Sequence, residues 1–328
     1  MCLLWNYYII NLIYIILIQL IQRINTESKQ IIYLKVKNGT NVKVINSVYI
    51  PDKVYINGID SEIKSNGNIV ITVPGIANVT LVWNLKLEKY TKLFRNIQSI
   101  LEVDLSKFDT SKVTTIAYMF NNCTNLEYIN FDKINTSLIT DLSFMFENCT
   151  SLLSLDLSNF DTRNVLNMES MFKNCILLFS LNLSNFYTPK LTRINDMFLG
   201  CSSLEDLDIS NLDVSHVTYM NSTFSGCTFL VNLNISHLDT KNVILMNELF
   251  RDCSSLLSLD LSKMDTSNVI NMSYMFYNTA NLNSINLSNF NTSKVKYMDY
   301  MFSKSKLKEI DISKFITSEV ISMRDMFS

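Results

Sequence analysis

The side chains with the most chemical potential in this 328-residue sequence are its cysteines, and six of the seven recur at one interval. They stand 26 residues apart, at Cys123, Cys149, Cys175, Cys201, Cys227 and Cys253, and Thr279 takes the next place. Such a column predicts side chains that point the same way into a core, where thiols act as small buried hydrophobic groups. Disulfides between neighbouring repeats of a secreted protein are the alternative. We favour free thiols, because parallel side chains would strain those bonds.

Other residues that could perform chemistry are sparse. The two histidines, His216 and His237, lie in predicted turns away from the cysteine column. The chain has no close CxxC pair for zinc, no glycine-rich phosphate loop, no nucleophile elbow and no HExxH motif. We therefore expect no catalytic residues, no metal, no cofactor and no enzymatic activity.

A second column alternates acid and amide along the chain. Its members are Asp104, Asn130, Asp156, Asn182, Asp208, Asn234, Asp260, Asn286 and Asp311. One explanation is that alternation separates like charges on stacked repeats, and another is repeated duplication of a 52-residue double unit. The sequence leaves both open. A calcium ladder is disfavoured, because calcium needs several oxygens that converge on one point.

These columns belong to a 26-residue unit, which is clearest at residues 151–175. Its first half predicts a short strand, with Leu155 and Leu157 on one face and Asp156 on the other. Its second half has apolar residues three and four apart, at Val165, Met168, Met171, Phe172 and Cys175. That spacing predicts a short helix or 3₁₀ segment with one buried stripe, for which Asn167 suits the N-cap.

A phenylalanine column runs through the same units. It comprises Phe94, Phe120, Phe146, Phe172, Phe198, Phe224, Phe250, Phe276, Phe302 and Phe327, and only the last step is 25 rather than 26 residues. One unit cannot bury its apolar side chains alone, whereas stacked units share a continuous core. The sequence predicts an α/β repeat solenoid of leucine-rich-repeat type, about 45–50 Å long for ten rungs.

The domain prediction has three parts. Residues 1–25 are mostly apolar and predict a signal peptide or a membrane anchor, with a buried element as a third option. Residues 26–77 contain Val/Ile/Tyr runs separated by turn residues, which predict a β-rich N-terminal cap. Residues 78–328 are the predicted solenoid, with Asn78 in the slot of Asp156, and it ends within a unit without a C-terminal cap. An apolar open end would favour end-to-end self-association or indicate a truncated product.

The stretch DLSNFDTRNVLNMESMFKNCILLFSLNLSNF, which begins at Asp156, resembles the BspA-like leucine-rich-repeat surface proteins. The resemblance covers about three-quarters of the chain. It implies a secreted or surface-displayed protein, and for some members adhesion to host proteins or other cells. The family brings no catalytic residues.

The outward strand side chains are predicted to line a concave binding face. Candidate contacts are Tyr128, Asn130, Asp156, Asn182, Asp208, Asn234, Asp260 and Asn286. The columns beside the acid–amide column are rich in serine, and Tyr128 is their only aromatic residue. Such a face suits weak, multivalent contact rather than one high-affinity site.

Three functions follow from these patterns. The favoured one is an extracellular or cell-surface protein that binds a protein or cell-surface ligand, in contact with the membrane only through residues 1–24. The others are a self-associating spacer of a surface layer and an intracellular scaffold. With a net charge of −2 and no basic patch, the chain does not suit nucleic acid.

Overall fold

The computed structural model describes residues 29–37, 39–46, 50–61, 68–73, 75–84 and 89–328. The predicted signal peptide or anchor at residues 1–25 lies outside this part. No helix among the described residues is long and apolar enough to cross a membrane.

Ten strands occur in the described residues. They are β1 (Gln30–Val36), β2 (Gly39–Asn46), β3 (Lys53–Ile56), β4 (Ile59–Ser61), β5 (Asn68–Val73), β6 (Ala77–Trp83), β7 (Ile100–Asp104), β8 (Tyr128–Asn130), β9 (Ser154–Asp156) and β10 (Ser180–Asn182). One sheet has the order β4-β3-β6-β1-β7-β8, and β9 with β10 and β2 with β5 form two-stranded sheets. The segment predicted to be β-rich thus contains β1 to β5 and the start of β6.

Strand β1 joins the N-terminal strands to the repeats. It pairs antiparallel with β6 on one side and with β7 on the other, whereas β7 and β8 pair in parallel. Strand β6 contains Asn78, at which the predicted solenoid starts, and it runs antiparallel beside β1 rather than stacking on β7. The first parallel pairing between repeats is Lys89 with Thr115. Antiparallel strands therefore cover the edge that the first repeat would otherwise leave open.

The second half of each repeat stacks on the next in a continuous parallel ladder, which we call the turn side. The paired positions are Lys89, Thr115, Asp141, Asn167, Arg193, Tyr219, Leu245, Asn271, Tyr297 and Ser322. In the residues that follow each of these positions, every second backbone N–H donates to a carbonyl of the next rung. Phe172 N, for example, donates to Met197 O at 2.9 Å. The prediction of a stacked repeat protein is confirmed, with steps of 26 residues and a final step of 25.

The predicted short helices are wrong. The described residues contain strands, bridges and turns but no helix. In the clearest unit, Met171 N bonds to Met168 O and Cys175 N bonds to Phe172 O, so tight turns follow one another. Each turn needs a left-handed residue, Ser170 at φ 53° and Asn174 at φ 59°, and a left-handed residue ends a right-handed helix.

The residue at the end of these turns has a left-handed backbone, and it is Asn, Asp or Gly in all rungs but one. The prediction of a helix did not use this sequence signal. The residues at this position are Asn96, Asn122, Asn148, Asn174, Gly200, Gly226, Asp252, Asn278 and Lys304. Asn, Asp and Gly tolerate this conformation best. At Gly200 the backbone has φ 74°, a conformation that glycine adopts without strain.

The apolar stripe itself was predicted correctly. Val165, Met168, Met171, Phe172 and Cys175 are all fully buried. Successive four-residue turns bring residues three and four apart to the same side, as a helix does. The spacing therefore predicted which side chains are buried but could not distinguish a helix from a chain of turns.

The phenylalanine column is a continuous stack of rings, buried in the core from Phe94 to Phe302 and exposed at Phe327. From Phe94 to Phe327, neighbouring ring centroids lie 5.5–5.8 Å apart at interplanar angles of 3–19°. Offset stacks of this kind add about 0.5–1.5 kcal/mol per pair beyond the burial of their area. Because each ring rests on the next, the column favours a single register between rungs.

Buried threonines link the rungs at the opposite corner. Thr136 Oγ1 donates to Asp161 O at 3.1 Å and accepts from Asp161 N at 2.6 Å. Thr110, Thr188, Thr266 and Thr292 make the same pair of bonds one rung apart. These hydroxyls satisfy backbone groups that burial would otherwise leave unpaired.

Replacing Ser170 by glycine tests the turn structure. Ser170 is buried with positive φ, and its hydroxyl has no hydrogen-bond partner. We expect Ser170→Gly to raise the free energy of unfolding by about 1 kcal/mol, because the left-handed strain and the unpaired hydroxyl are removed. The measurement is the urea midpoint.

Glu169→Gly is the matched control, because Glu169 is the preceding turn residue and is not among those with positive φ. It should lower stability by about 0.5–1 kcal/mol. A loss of stability in both variants would contradict the turn assignment and favour a helix.

Candidate binding surface

The outward side chains of the strands form one surface across the N-terminal sheet and the repeats, which we call the strand face. Two rows cross it. In one row Tyr33 pairs with Asp104 and Asp104 with Asn130. In the other, Glu102 lies between Lys35 and Tyr128. The face predicted from the repeats therefore extends onto β1 and β6.

An open depression of about 380 Å³ marks the junction between β1 and the repeats. Tyr33 (40% exposed) and Tyr128 (54% exposed) line it. Beside them Lys35 Nζ donates to Glu102 Oε1 at 2.5 Å, and this hydrogen bond raises the pKa of Lys35. The two carry opposite charges, so the depression presents two aromatic rings beside a paired cation and anion.

The acid–amide column has a structural task in every rung. Each of its nine members accepts a hydrogen bond from the backbone N–H two residues later, and so closes a turn at the end of the strand segment. The pKa of Asp156 is lowered by its bonds from Ser158, and those of Asp208 and Asp260 by bonds from Ser210 and Ser262.

The amides also donate hydrogen bonds to carboxylates of the neighbouring rung. Asn130 Nδ2 donates to Asp104 Oδ1 at 3.1 Å, and a hydrogen bond from Asn182 contributes to the lowered pKa of Asp156. An amide between two carboxylates can donate to one of them and separates their charges. This geometry supports the explanation by charge separation, although duplication of a double unit would produce the same order.

The predicted contacts divide into two groups. Tyr128 and Asn130 line the depression with residues of β1 and β7. Asp156, Asn182, Asp208, Asn234, Asp260 and Asn286 continue as an exposed column along the repeats. No cluster of His, Cys, Asp and Glu in the described part could hold a metal ion.

Sequence reasoning missed Tyr33 and Lys35. Their positions depend on β1 inserting between β6 and β7, a long-range pairing that no repeat pattern announces. It also missed an exposed apolar edge beside the strand face, which comprises Leu153, Ile176, Leu177, Phe179, Phe229 and Leu257. That edge could have been found, because these residues occupy three slots of the repeat next to the buried leucines.

The six repeat cysteines are free and fully buried, which confirms their prediction as core thiols. Each Sγ donates to the carbonyl of the phenylalanine 29 residues earlier, at 3.0–3.3 Å. Burial raises the pKa of Cys123, Cys175 and Cys227 to about 12. Thiolates are the reactive form, so these groups are chemically inert in the folded chain.

The histidines lie apart from the cysteines, on the surface. His216 Nδ1 is 3.1 Å from the hydroxyl of Ser215, and His237 Nε2 is 3.0 Å from the carbonyl oxygen of Ile209. Both side chains are exposed.

Thiol ionisation should make the fold sensitive to alkaline pH. Unfolded thiols ionise near pH 8.5, whereas the folded Cys123, Cys175 and Cys227 stay protonated up to about pH 12. The unfolded state therefore loses protons first, and the free energy of unfolding should fall between about pH 8.5 and 12. Urea titrations across this range measure the effect.

The matched reagent test uses the Cys2→Ser variant. At pH 8 the native protein should leave dithiobis-nitrobenzoate unreacted for hours, while the protein in denaturant should release six equivalents, one for each repeat cysteine. Rapid labelling of the native protein would contradict the buried ladder.

Charge separation in the acid–amide column can be tested with Asn182→Asp. This change places three carboxylates in succession, at 156, 182 and 208, on rungs about 4.8 Å apart. We expect a loss of about 1 kcal/mol in unfolding free energy at low salt, which largely disappears at 1 M salt. Asp208→Asn, the matched control, should change stability little. Equal stability of Asn182→Asp at low salt would leave duplication alone as the explanation.

Comparison with known proteins agrees with the repeat architecture. The family model described as "Mycoplasma protein of unknown function, DUF285" matches residues 86–206, 178–260 and 256–328. No curated protein matches the chain significantly. The matched ranges together cover most of the chain and coincide with the stacked repeats. The chain therefore belongs to this DUF285 repeat family.

Proposed function

We propose that the protein is secreted or displayed on the cell surface and binds a protein or cell-surface ligand through the strand face. Its role would be adhesion or interaction rather than catalysis. The observation that carries the proposal is the depression at the junction, where Tyr33 and Tyr128 stand exposed on a rigid sheet.

Two exposed tyrosines beside a charged pair are suited to recognition. Tyrosine is enriched among residues that dominate binding energy, because it offers a large rigid ring and a hydroxyl. The strands below hold these side chains in place through the pairing of β1, β7 and β8. The long Ser/Asn/Asp column beyond the depression would add weak contacts that gain strength when many copies act together.

The proposed location rests on two features of the sequence. Residues 1–24 are mostly apolar, as in a secretion signal or anchor. The repeat also resembles that of BspA-like surface proteins, and we propose that the protein is related to them. Protease treatment of intact cells tests it, because a surface protein is degraded while a cytosolic control survives. Full protection of the protein would contradict surface display.

Binding is tested with beads that carry many copies of the full chain. We expect them to adhere to cultured cells or to immobilised matrix proteins, and expect the double variant Tyr33→Ala/Tyr128→Ala to reduce adhesion at least tenfold. Tyr187→Ala is the matched control, because Tyr187 is 55% exposed but lies outside the strand face. Failure of the beads to adhere to any surface, or equal adhesion of the double variant, would overturn the proposal.

A further inference from the structure

The apolar edge has two parts along the stack, Leu153 with Phe179 and Val231 with Leu257, and the charged Glu205 lies between them. Within one slot of the repeat, Phe179 N donates to Leu153 O at 2.9 Å, and Leu257 N donates to Val231 O at 3.3 Å. Glu205 joins the same slot through its carbonyl, which accepts from Val231 N at 3.0 Å. Ile176, Leu177 and Phe229 lie in the two slots alongside, and the two rings, Phe179 and Phe229, are 58% and 60% exposed.

This edge is unlike an ordinary scatter of exposed apolar residues. Singly exposed apolar side chains are ordinary, whereas a group of them on adjacent rungs forms a patch of the kind that contacts another molecule. Each of the two phenylalanines presents more than half of its surface to solvent although buried positions lie directly beside it, at Leu178 and Leu230. The row therefore meets the first requirement of a docking surface, which is apolar area that another molecule can cover.

Charge decides what kind of molecule fits. The strand segments of seven successive rungs, residues 124–130, 150–156, 176–182, 202–208, 228–234, 254–260 and 280–286, contain no Lys or Arg. Their carboxylates are all exposed and comprise Glu127, Asp156, Glu205, Asp206, Asp208 and Asp260. The apolar edge thus borders strand segments in which every charged side chain is a carboxylate.

Elsewhere on the solenoid, several cations and anions form ion pairs. On the turn side Arg251 binds Glu248 at 2.9 Å, and Lys173 lies 3.5 Å from Asp196. At the intervening corner Arg163 binds Asp161 at 2.6 Å. On the strand face Lys35 already pairs with Glu102. Among the described residues, the carboxylates of the seven strand segments form no ion pair of this kind, which leaves them available to a basic partner.

We propose that the apolar edge and the adjoining strand face bind a basic amphipathic segment of another protein. Its apolar side chains would cover Phe179 and Phe229, and its Lys or Arg side chains would face Glu205, Asp206 and their neighbours. A second copy of this chain fits poorly, because pairing the same surfaces would bring carboxylates together. The inference deepens the proposed function and rests on the strand face being a binding surface.

The dimensions define the length of the segment. Leu153 and Leu257 are four rungs apart, which is about 19 Å at the spacing of parallel strands. An α-helix rises about 1.5 Å per residue, so about 13 residues span that distance. Its apolar side chains recur about every 5.4 Å along one face, close to the rung spacing.

A synthetic probe tests the chemistry directly. The probe is a fluorescent 14-residue peptide of Leu and Lys with the leucines on one helical face, and binding to the full chain is measured by fluorescence anisotropy. We expect saturable binding that weakens at least tenfold between 50 mM and 500 mM salt. The same peptide with Glu in place of Lys, and a Leu/Lys peptide with dispersed leucines, should each bind at least tenfold more weakly.

Two double variants separate the contributions of charge and apolar contact. Glu205→Lys/Asp206→Lys and Phe179→Ser/Phe229→Ser should each weaken peptide binding at least tenfold. Both sets of side chains are exposed, so the fold should be retained. Glu169→Lys/Glu319→Lys, with the same change of charge away from the strand segments, and Tyr187→Ser are the matched controls and should bind as the parent does.

The outcomes are distinguishable. Binding that follows this pattern supports the inference. Absence of peptide binding, or equal binding by the two double variants and their controls, overturns it. If the bead adhesion described above persists while the peptide fails, the proposed function stands and only the basic amphipathic partner is excluded. If both fail, the strand face is not a binding surface.

Discussion

The structure depends on the backbone ladder that joins the turn side of one rung to that of the next. Alternate N–H groups donate across the gap, for example Ser170 N to Asn195 O and Phe172 N to Met197 O. The ladder fixes the register, so that each residue lies above its equivalent 26 positions earlier. Every column of like side chains, inward or outward, is a consequence of that register.

Register turns weak individual contacts into continuous ones. The stacked phenylalanine rings and the thiol–carbonyl bonds repeat through the core, while asparagine amides bond to one another at the surface of the turns, as Asn148 Nδ2 does to Asn122 Oδ1 at 2.6 Å. A buried polar group needs a partner. Here the equivalent rung supplies it, so polar residues such as threonine can recur at the edge of an apolar core.

The same register separates two kinds of surface. Arginines on the turn side lie over tyrosine rings as well as beside carboxylates, as Arg251 does over Tyr274 at 5.2 Å, so several of its cations interact within the molecule. The strand segments carry carboxylates and an apolar edge without cations of their own. This difference in charge distribution, rather than net charge, supports the proposal that the strand face binds a partner.

Much of this architecture could be predicted from the period of the sequence alone. A 26-residue spacing determines stacking, and the apolar positions within it determine which side chains are buried, because both follow from local repetition. The predicted helices failed for the same reason, since turns and helices bury residues at the same spacing. The Asn and Gly positions after each Phe carried the missing information, because left-handed backbone favours those residues.

Tertiary structure alone decided how the stack begins and where its candidate site lies. Strand β1 enters between β6 and β7, and this pairing joins Tyr33 and Lys35 to Glu102 and Tyr128, residues far apart in sequence. Repetition cannot encode such a contact, because it occurs once. The sequence by itself determined the repeat and its buried columns; the junction required the long-range antiparallel pairing that only the folded chain provides.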